Sequence, residues 1–219
     1  MNDLNEETSL KIFVIFAHPE KKSFCSALKN ICINSLKKYC DVIESNLYEM
    51  NLIEPLGKQD FKELTNKDFF KPQIEQLESN KMDFKNYIDP IKNEHEKVNW
   101  ADILIFIFPL YWFSFPGIMK NWIDRVFSYG FAYGQTNFKG KRVMCVYTTG
   151  AAQKFISPHE KNIFKVMFDL IFGFCSLEII KPFIVYNPAG MKHQDRKNIL
   201  KEFENVMKNL VDRELYYSV

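Results

Sequence analysis

Three short runs of this chain carry side chains that can bind or react. Residues 17–24, A-H-P-E-K-K-S-F, place the His18 imidazole, two lysines and the Ser23 hydroxyl just ahead of an apolar helical stretch. Backbone N–H groups at a helix start, backed by cations, form a phosphate-binding set. The same residues also read as an N-cap at Ser23 beside a solvated charge run. The run lacks G-x-G-x-x-G, so a dinucleotide site of that type is not expected. In residues 109–113, Pro109, Leu110, Tyr111, Trp112 and Phe113 put three aromatic rings in succession at the end of an apolar segment. They cannot all face a core. A flat-ring ligand is a natural partner for those left outside, and an aromatic lid over the core is the other reading. Thr148, Thr149 and Gly150, followed by Ala151 and Ala152, supply hydroxyls and a glycine-permitted turn whose amides can stabilise developing negative charge. They equally suit an ordinary strand-ending turn.

The elements around these runs alternate. Residues 11–17 form a continuous apolar run that stops before Pro19, as expected of a strand buried on both faces. A helix follows from Ser23, with Phe24, Ala27, Leu28, Ile31 and Leu36 at helical spacing. Residues 41–45 read as an edge-like second strand, 100–108 as a third and strongest one, 142–147 as a fourth and 178–186 as a fifth. Pro116 suits a helix start, and Ile118, Trp122, Ile123 and Val126 make an apolar face. Residues 162–172 read as a helix apolar all round. The last helix begins near Asp195 and carries Ile199, Leu200, Phe203, Val206, Met207, Leu210 and Val211. Strand–helix alternation implies a parallel sheet covered on both faces, and five strands fit the order 2-1-3-4-5. Ligands of such sheets bind beyond the carboxyl ends of the strands, which is where the three runs lie. Residues 46–99 are polar and long for a connection. They are expected to be an insertion within one domain spanning 1–219, with helices near 72–79 and 87–98.

Composition narrows the function classes. With 29 Lys+Arg against 27 Asp+Glu the formal charge is +2, so no basic stripe for nucleic acid is expected. Aromatic residues make up 16%, including 21 Phe. That supply suits core packing, a site for a flat molecule or a subunit interface. Five cysteines without a C-x-x-C or Cys/His pairing argue against a disulfide framework and against a metal site. Residues 1–9 are acidic and polar, unlike a signal peptide. The apolar run at 103–118 is too short for a span. A soluble, cytoplasmic protein without membrane insertion is expected.

Residues 12–24, 43–51, 100–127 (W-A-D-I-L-I-F-I-F-P-L-Y-W-F-S-F-P-G-I-M-K-N-W-I-D-R-V-F), 131–134 (F-A-Y-G) and 148–150 resemble, in order and spacing, the NAD(P)H:quinone oxidoreductase (DT-diaphorase) family. The resemblance implies a flavodoxin-like homodimer that binds FAD rather than FMN, with active sites at the subunit interface. It also implies NAD(P)H as co-substrate and a quinone as acceptor. By position, His18, Ser23 and Phe24 would hold the pyrophosphate and adenosine side, where Cys25 stands in place of the family's usual Asn. Pro109 opens the segment in which Leu110, Tyr111, Trp112 and Phe113 would lie against the isoalloxazine. Thr148, Thr149 and Gly150 would meet its pyrimidine edge, and Arg196 and Leu200 would lie near the adenine.

The chain departs from the family pattern in its catalytic loop. That loop, after 148–150, is several residues shorter, and Phe155 or Ile156 stands where the family has a tyrosine. His159 becomes the candidate for supporting charge on the reduced flavin. Tyr133 matches a tyrosine given to the partner's quinone pocket, while Gln135 replaces a second one. No counterpart of the extra C-terminal region of the longer animal enzymes, nor a metal site there, is expected. A rebuilt catalytic loop also suits a different role, a regulatory flavoprotein subunit of a potassium-efflux transporter with little turnover.

Overall fold

The computed structural model of the chain describes residues 9–50, 52, 54–210, 212 and 215. The acidic start at 1–8, Asn51 and Val211 lie outside the described residues. A sheet of five parallel strands, β1 (Lys11–Phe16), β2 (Asp41–Asn46), β3 (Ile103–Pro109), β4 (Arg142–Thr149) and β5 (Glu178–Tyr186), runs in the order β2-β1-β3-β4-β5. This is the architecture that the alternation of strand and helix signals called for. The central strands read as unbroken apolar runs because both faces are covered. Phe13 and Ile15 of β1 face one core, together with Phe106 and Phe108 of β3. Ile12, Val14, Ile103, Ile105 and Ile107 face a second core on the other side of the sheet.

Helix α1 (Phe24–Leu36) begins where expected, at a Ser23 cap whose hydroxyl accepts from the Ser26 amide at 3.1 Å. It packs against α7 (His193–Lys208), which brings Phe203 and Met207 into the second core. Helix α7 starts at His193, two residues before the Asp195 expected, directly after an extended Lys192. The insertion holds α2 (Pro72–Lys81) and α3 (Asp89–Trp100), around a small cluster of Leu52, Phe61, Tyr87 and Ile91. Trp100 therefore ends a helix rather than opening β3. Ile91, His95 and Val98 carry the helical face through to it, and β3 starts only at Ile103. Helix α4 (Gly117–Val126) follows its cap at Pro116. Two buried contacts fasten the insertion to α4. The Arg125 guanidinium meets Asp60 at 2.5 Å, and the Trp122 indole donates to Glu94 at 2.8 Å.

After β4 come a short helix α5 (Gln153–Ile156), a 3-10 turn (Ser157–His159), helix α6 (Glu160–Phe164) and a π-helix (Lys165–Gly173). The expected helix at 162–172 thus changes type midway. It buries Met167, Phe168 and Phe172, and the wider turn lets Met167 and Phe172, five apart, share the inner face. Val166, Leu170 and Phe174 are left on the outside. Among the described residues no helix is long and apolar enough to cross a membrane.

Candidate active site

Where the strand order reverses between β1 and β3, the loops after β1, β3 and β4 converge. Beside them lies a cleft of about 500 Å³ whose walls include His18, Ser23, Phe24, Cys25, Thr148, Arg196 and Leu200. Seven residues singled out in the sequence are therefore brought together. The cleft also takes Lys22, one of the two lysines expected there, together with His193 and Lys197, for which the sequence carried no local signal. These two sit at the start of α7. The rule that pointed to the other loops, applied to the end of β5, would have found His193 and Lys197.

The details of this wall favour an anionic ligand. The His18 Nδ1 accepts the Glu20 amide at 3.0 Å, which leaves its proton on Nε2 as a donor. Partial burial lowers the His18 pKa, against the opposing pull of Glu20, so the ring is a neutral donor and the charge comes from the lysines and arginine. Cys25 is buried and hydrogen-bonded to the Thr148 hydroxyl at 3.1 Å. Burial pushes its pKa up to about 11, so it is a thiol and a packing group rather than a nucleophile. The other four cysteines are free thiols as well.

The aromatic run forms a tight turn. Tyr111 and Ser114 exchange backbone hydrogen bonds at 3.1 and 3.0 Å, and the residues between them, Trp112 and Phe113, both lie at positive φ (49° and 59°). This is the geometry of a turn normally built from Asn and Gly. For bulky side chains such a conformation costs about 1–3 kcal/mol each and marks a functional constraint. Trp112 is 95% exposed, and Tyr111 and Phe113 are a little under half exposed. Pro109 and Leu110 differ from their neighbours. Pro109 is the last residue of β3, paired with Thr148, and the Leu110 side chain packs in the core. Their part at the site is to anchor the turn.

Beside the turn, Thr148 and Thr149 are buried at the end of β4, and the Thr149 hydroxyl donates to the Ala151 carbonyl at 2.6 Å. Gly150 is exposed at the mouth. His159 is exposed too. Its ring meets Phe113 edge-on, centroids 5.3 Å apart at 67°. Tyr133 is placed elsewhere, in a second groove of about 640 Å³ between α2, α4 and the π-helix, with Leu170, Phe174 and Phe127. Within one chain it does not join the other candidates. No cluster of His, Cys, Asp and Glu suited to a metal occurs among the described residues.

The family model described as a flavodoxin-like fold matches residues 10–209. The chain belongs to the flavodoxin-like family. Within it, a ribosyldihydronicotinamide dehydrogenase [quinone] from Rattus norvegicus is 33% identical over 213 residues, covering 91% of both chains. NAD(P)H dehydrogenase [quinone] 1 from the same organism is 28% identical, covering 94% of this chain and 80% of its own. A Klebsiella pneumoniae protein provisionally named a quinone reductase superposes with a TM-score of 0.84 at 30% identity, covering 94% of this chain and 87% of its own. This flavodoxin-like protein is an NAD(P)H dehydrogenase (quinone)-like oxidoreductase. A fold neighbour at 19% identity and TM-score 0.59, general stress protein 14 from Treponema denticola, is in complex with FMN. The regulatory-subunit alternative gains no support from these relatives.

Proposed function

We infer that this protein is a flavin-dependent two-electron reductase that passes hydride from NAD(P)H through bound FAD to quinones, as a homodimer with ping-pong turnover. The observation that carries the reading is the strained turn at Trp112–Phe113, set at the sheet's switch point beside a cationic cleft. The donor set suits a flavin. There is a flat aromatic ledge, a cleft with Arg196, Lys22 and Lys197 for phosphate, and a Thr–Thr–Gly strand end for polar ring atoms. A bound flavin would supply acceptance of hydride and two-electron delivery to the acceptor.

The protein's own groups would bind and orient. His18 Nε2–H and the amides after the Ser23 cap would hold phosphate oxygens. Tyr111, Trp112 and Phe113 would support the ring, and Leu110 and Pro109 would fix the turn that carries them. Thr148, Thr149 and Gly150 would meet the polar edge, and His159 would bring an imidazole N–H near it. Leu200 and Phe24 would flank the adenine, which favours FAD over FMN. Tyr133 would close the acceptor pocket of a second copy, since it stands apart from its own chain's cleft and lies beside exposed Leu170 and Phe174.

Heat release of the cofactor from purified protein, compared with FAD and FMN standards, tests the cofactor, and FAD is the expected species. FMN in its place would remove the assigned roles of Leu200 and Phe24 at the adenine. A colourless protein that neither flavin activates would sink the reading as a whole. Since one relative is named for ribosyldihydronicotinamide, turnover is to be compared with NADH, NADPH and that donor.

A further inference from the structure

The segment after β4 is held to the sheet by two kinds of contact. Ile156 and Ile163 bury their side chains in the core, which sets the depth of the segment. Among the described residues, its long-range side-chain hydrogen bond runs from the Tyr186 hydroxyl to the Glu160 carboxylate. Tyr186 is the last residue of β5 and pairs with Thr149 of β4. The phenol therefore stands on the strand end that sits against Thr148–Gly150. Glu160 directly follows His159, whose ring rests edge-on against Phe113 of the aromatic turn. A continuous line of contacts thus runs from the end of β5, through a phenol and a carboxylate, to the imidazole and the turn.

Burial raises the Tyr186 pKa, and the hydrogen bond and charge of Glu160 raise it further. The phenol is a permanent donor, and a partly buried hydroxyl facing a carboxylate gives a charge-assisted bond, stronger than a neutral one. The exposed His159 needs such a tie. Without one, an exposed side chain on a short connection samples several positions, and a displacement of about 1 Å near a reacting group can cost up to 10²-fold in rate.

We propose that Tyr186 is a positioning residue for the reductase. Its hydrogen bond to Glu160 locks the shortened loop so that His159 stays against Phe113 at the site. The inference rests on the role given to His159 above. It assigns to the end of β5 the work of ordering a loop that in this chain lacks the expected tyrosine.

The test uses the full-length, flavin-loaded protein and the variants Y186F, E160A, H159A and Y186F/H159A. In wild type the His159 ring signal, identified by its loss in H159A, should be shifted by the Phe113 ring in histidine-labelled NMR spectra. Y186F should move that signal toward the position of an exposed histidine. It should also lower kcat by about tenfold with little change in the donor KM, as expected for a misplaced group rather than a lost binding contact. Combined with H159A it should add no further loss, because both changes remove one function. E160A should reproduce Y186F, and it serves if Y186F does not fold. An unmoved His159 signal, an unchanged kcat, or losses that multiply in the double variant would overturn the proposal. If H159A itself keeps full kcat, the role of His159 falls and this inference with it. If H159A is slow while Y186F and E160A are normal, only the inference falls.

Discussion

At the scale of single residues, the clearest functional mark is stored strain. Trp112 and Phe113 occupy a turn that Gly would adopt freely, while neither ring joins the core. Apart from the edge contact of Phe113 with His159, little packing offsets that cost, as expected if the rings are kept for a ligand. Trp112→Gly should therefore leave the fold as stable as before, or more stable by up to about 1 kcal/mol, since relief of the left-handed strain outweighs the added backbone freedom. The same change should weaken flavin binding by about tenfold or more, as loss of an aromatic stacking contact is worth about 0.5–1.5 kcal/mol beyond its buried area. Urea denaturation of the apoprotein and flavin titration measure the two effects. A destabilised variant with unchanged flavin affinity would mean that the turn serves packing.

At the scale of elements, the insertion is joined to the segment after α4 through His95 of α3, which meets Ser128 and Phe131 there. Its ring is fully buried, stacked on Tyr87 at 4.5 Å and Phe84 at 4.9 Å. Nδ1 donates to the Ile91 carbonyl at 3.0 Å, and Nε2, 2.9 Å from the Ser128 hydroxyl, accepts from it, which fixes the neutral tautomer. Burial lowers the His95 pKa to about 4. The unfolded chain therefore binds a proton that the folded one refuses. The stability tied to neutral His95 is complete above pH ~6.5 and is lost as pH falls from there toward 4. In H95Q, unfolding free energy should depend less on pH between 6.5 and 4 than in wild type. Equal slopes in the two proteins would contradict this.

Much of this element scale was legible in the sequence. Five strands, the Ser23 cap and the loops at the carboxyl ends follow from runs such as 11–17 and from short-range capping chemistry. Less legible were features set by tertiary contact. Trp100 looks like a strand residue by type, but the face made by Ile91, His95 and Val98 keeps it in a helix. The π-helix at Lys165–Gly173 shows only as apolar spacing, and the Tyr186–Glu160 tie joins residues far apart in the chain. His193 and Lys197 carried no local signal beyond their place after β5.

At the scale of the whole molecule, the proposed reading requires more than one chain to complete the site. The aromatic turn and cleft lie at the carboxyl edge of the sheet, while Tyr133 lines the separate groove beside Leu170 and Phe174, which are 60% and 66% exposed. Apolar side chains in such a cluster favour burial against a partner, and a second copy would bring Tyr133 to the site. Sedimentation at micromolar concentration should give a dimer. L170K/F174K should give a folded monomer with reduced quinone turnover. A wild-type monomer with full turnover would remove the role assigned to Tyr133.

The most direct test of the central claim is an anaerobic cycle on the flavin-loaded protein. Its visible absorbance is followed after one equivalent of NAD(P)H and then after a benzoquinone. Bleaching by the first and full return of colour with the second, each faster than the steady-state turnover, is the expected result. A protein that takes up no flavin, or whose bound flavin bleaches but is not restored by the quinone, would contradict the account.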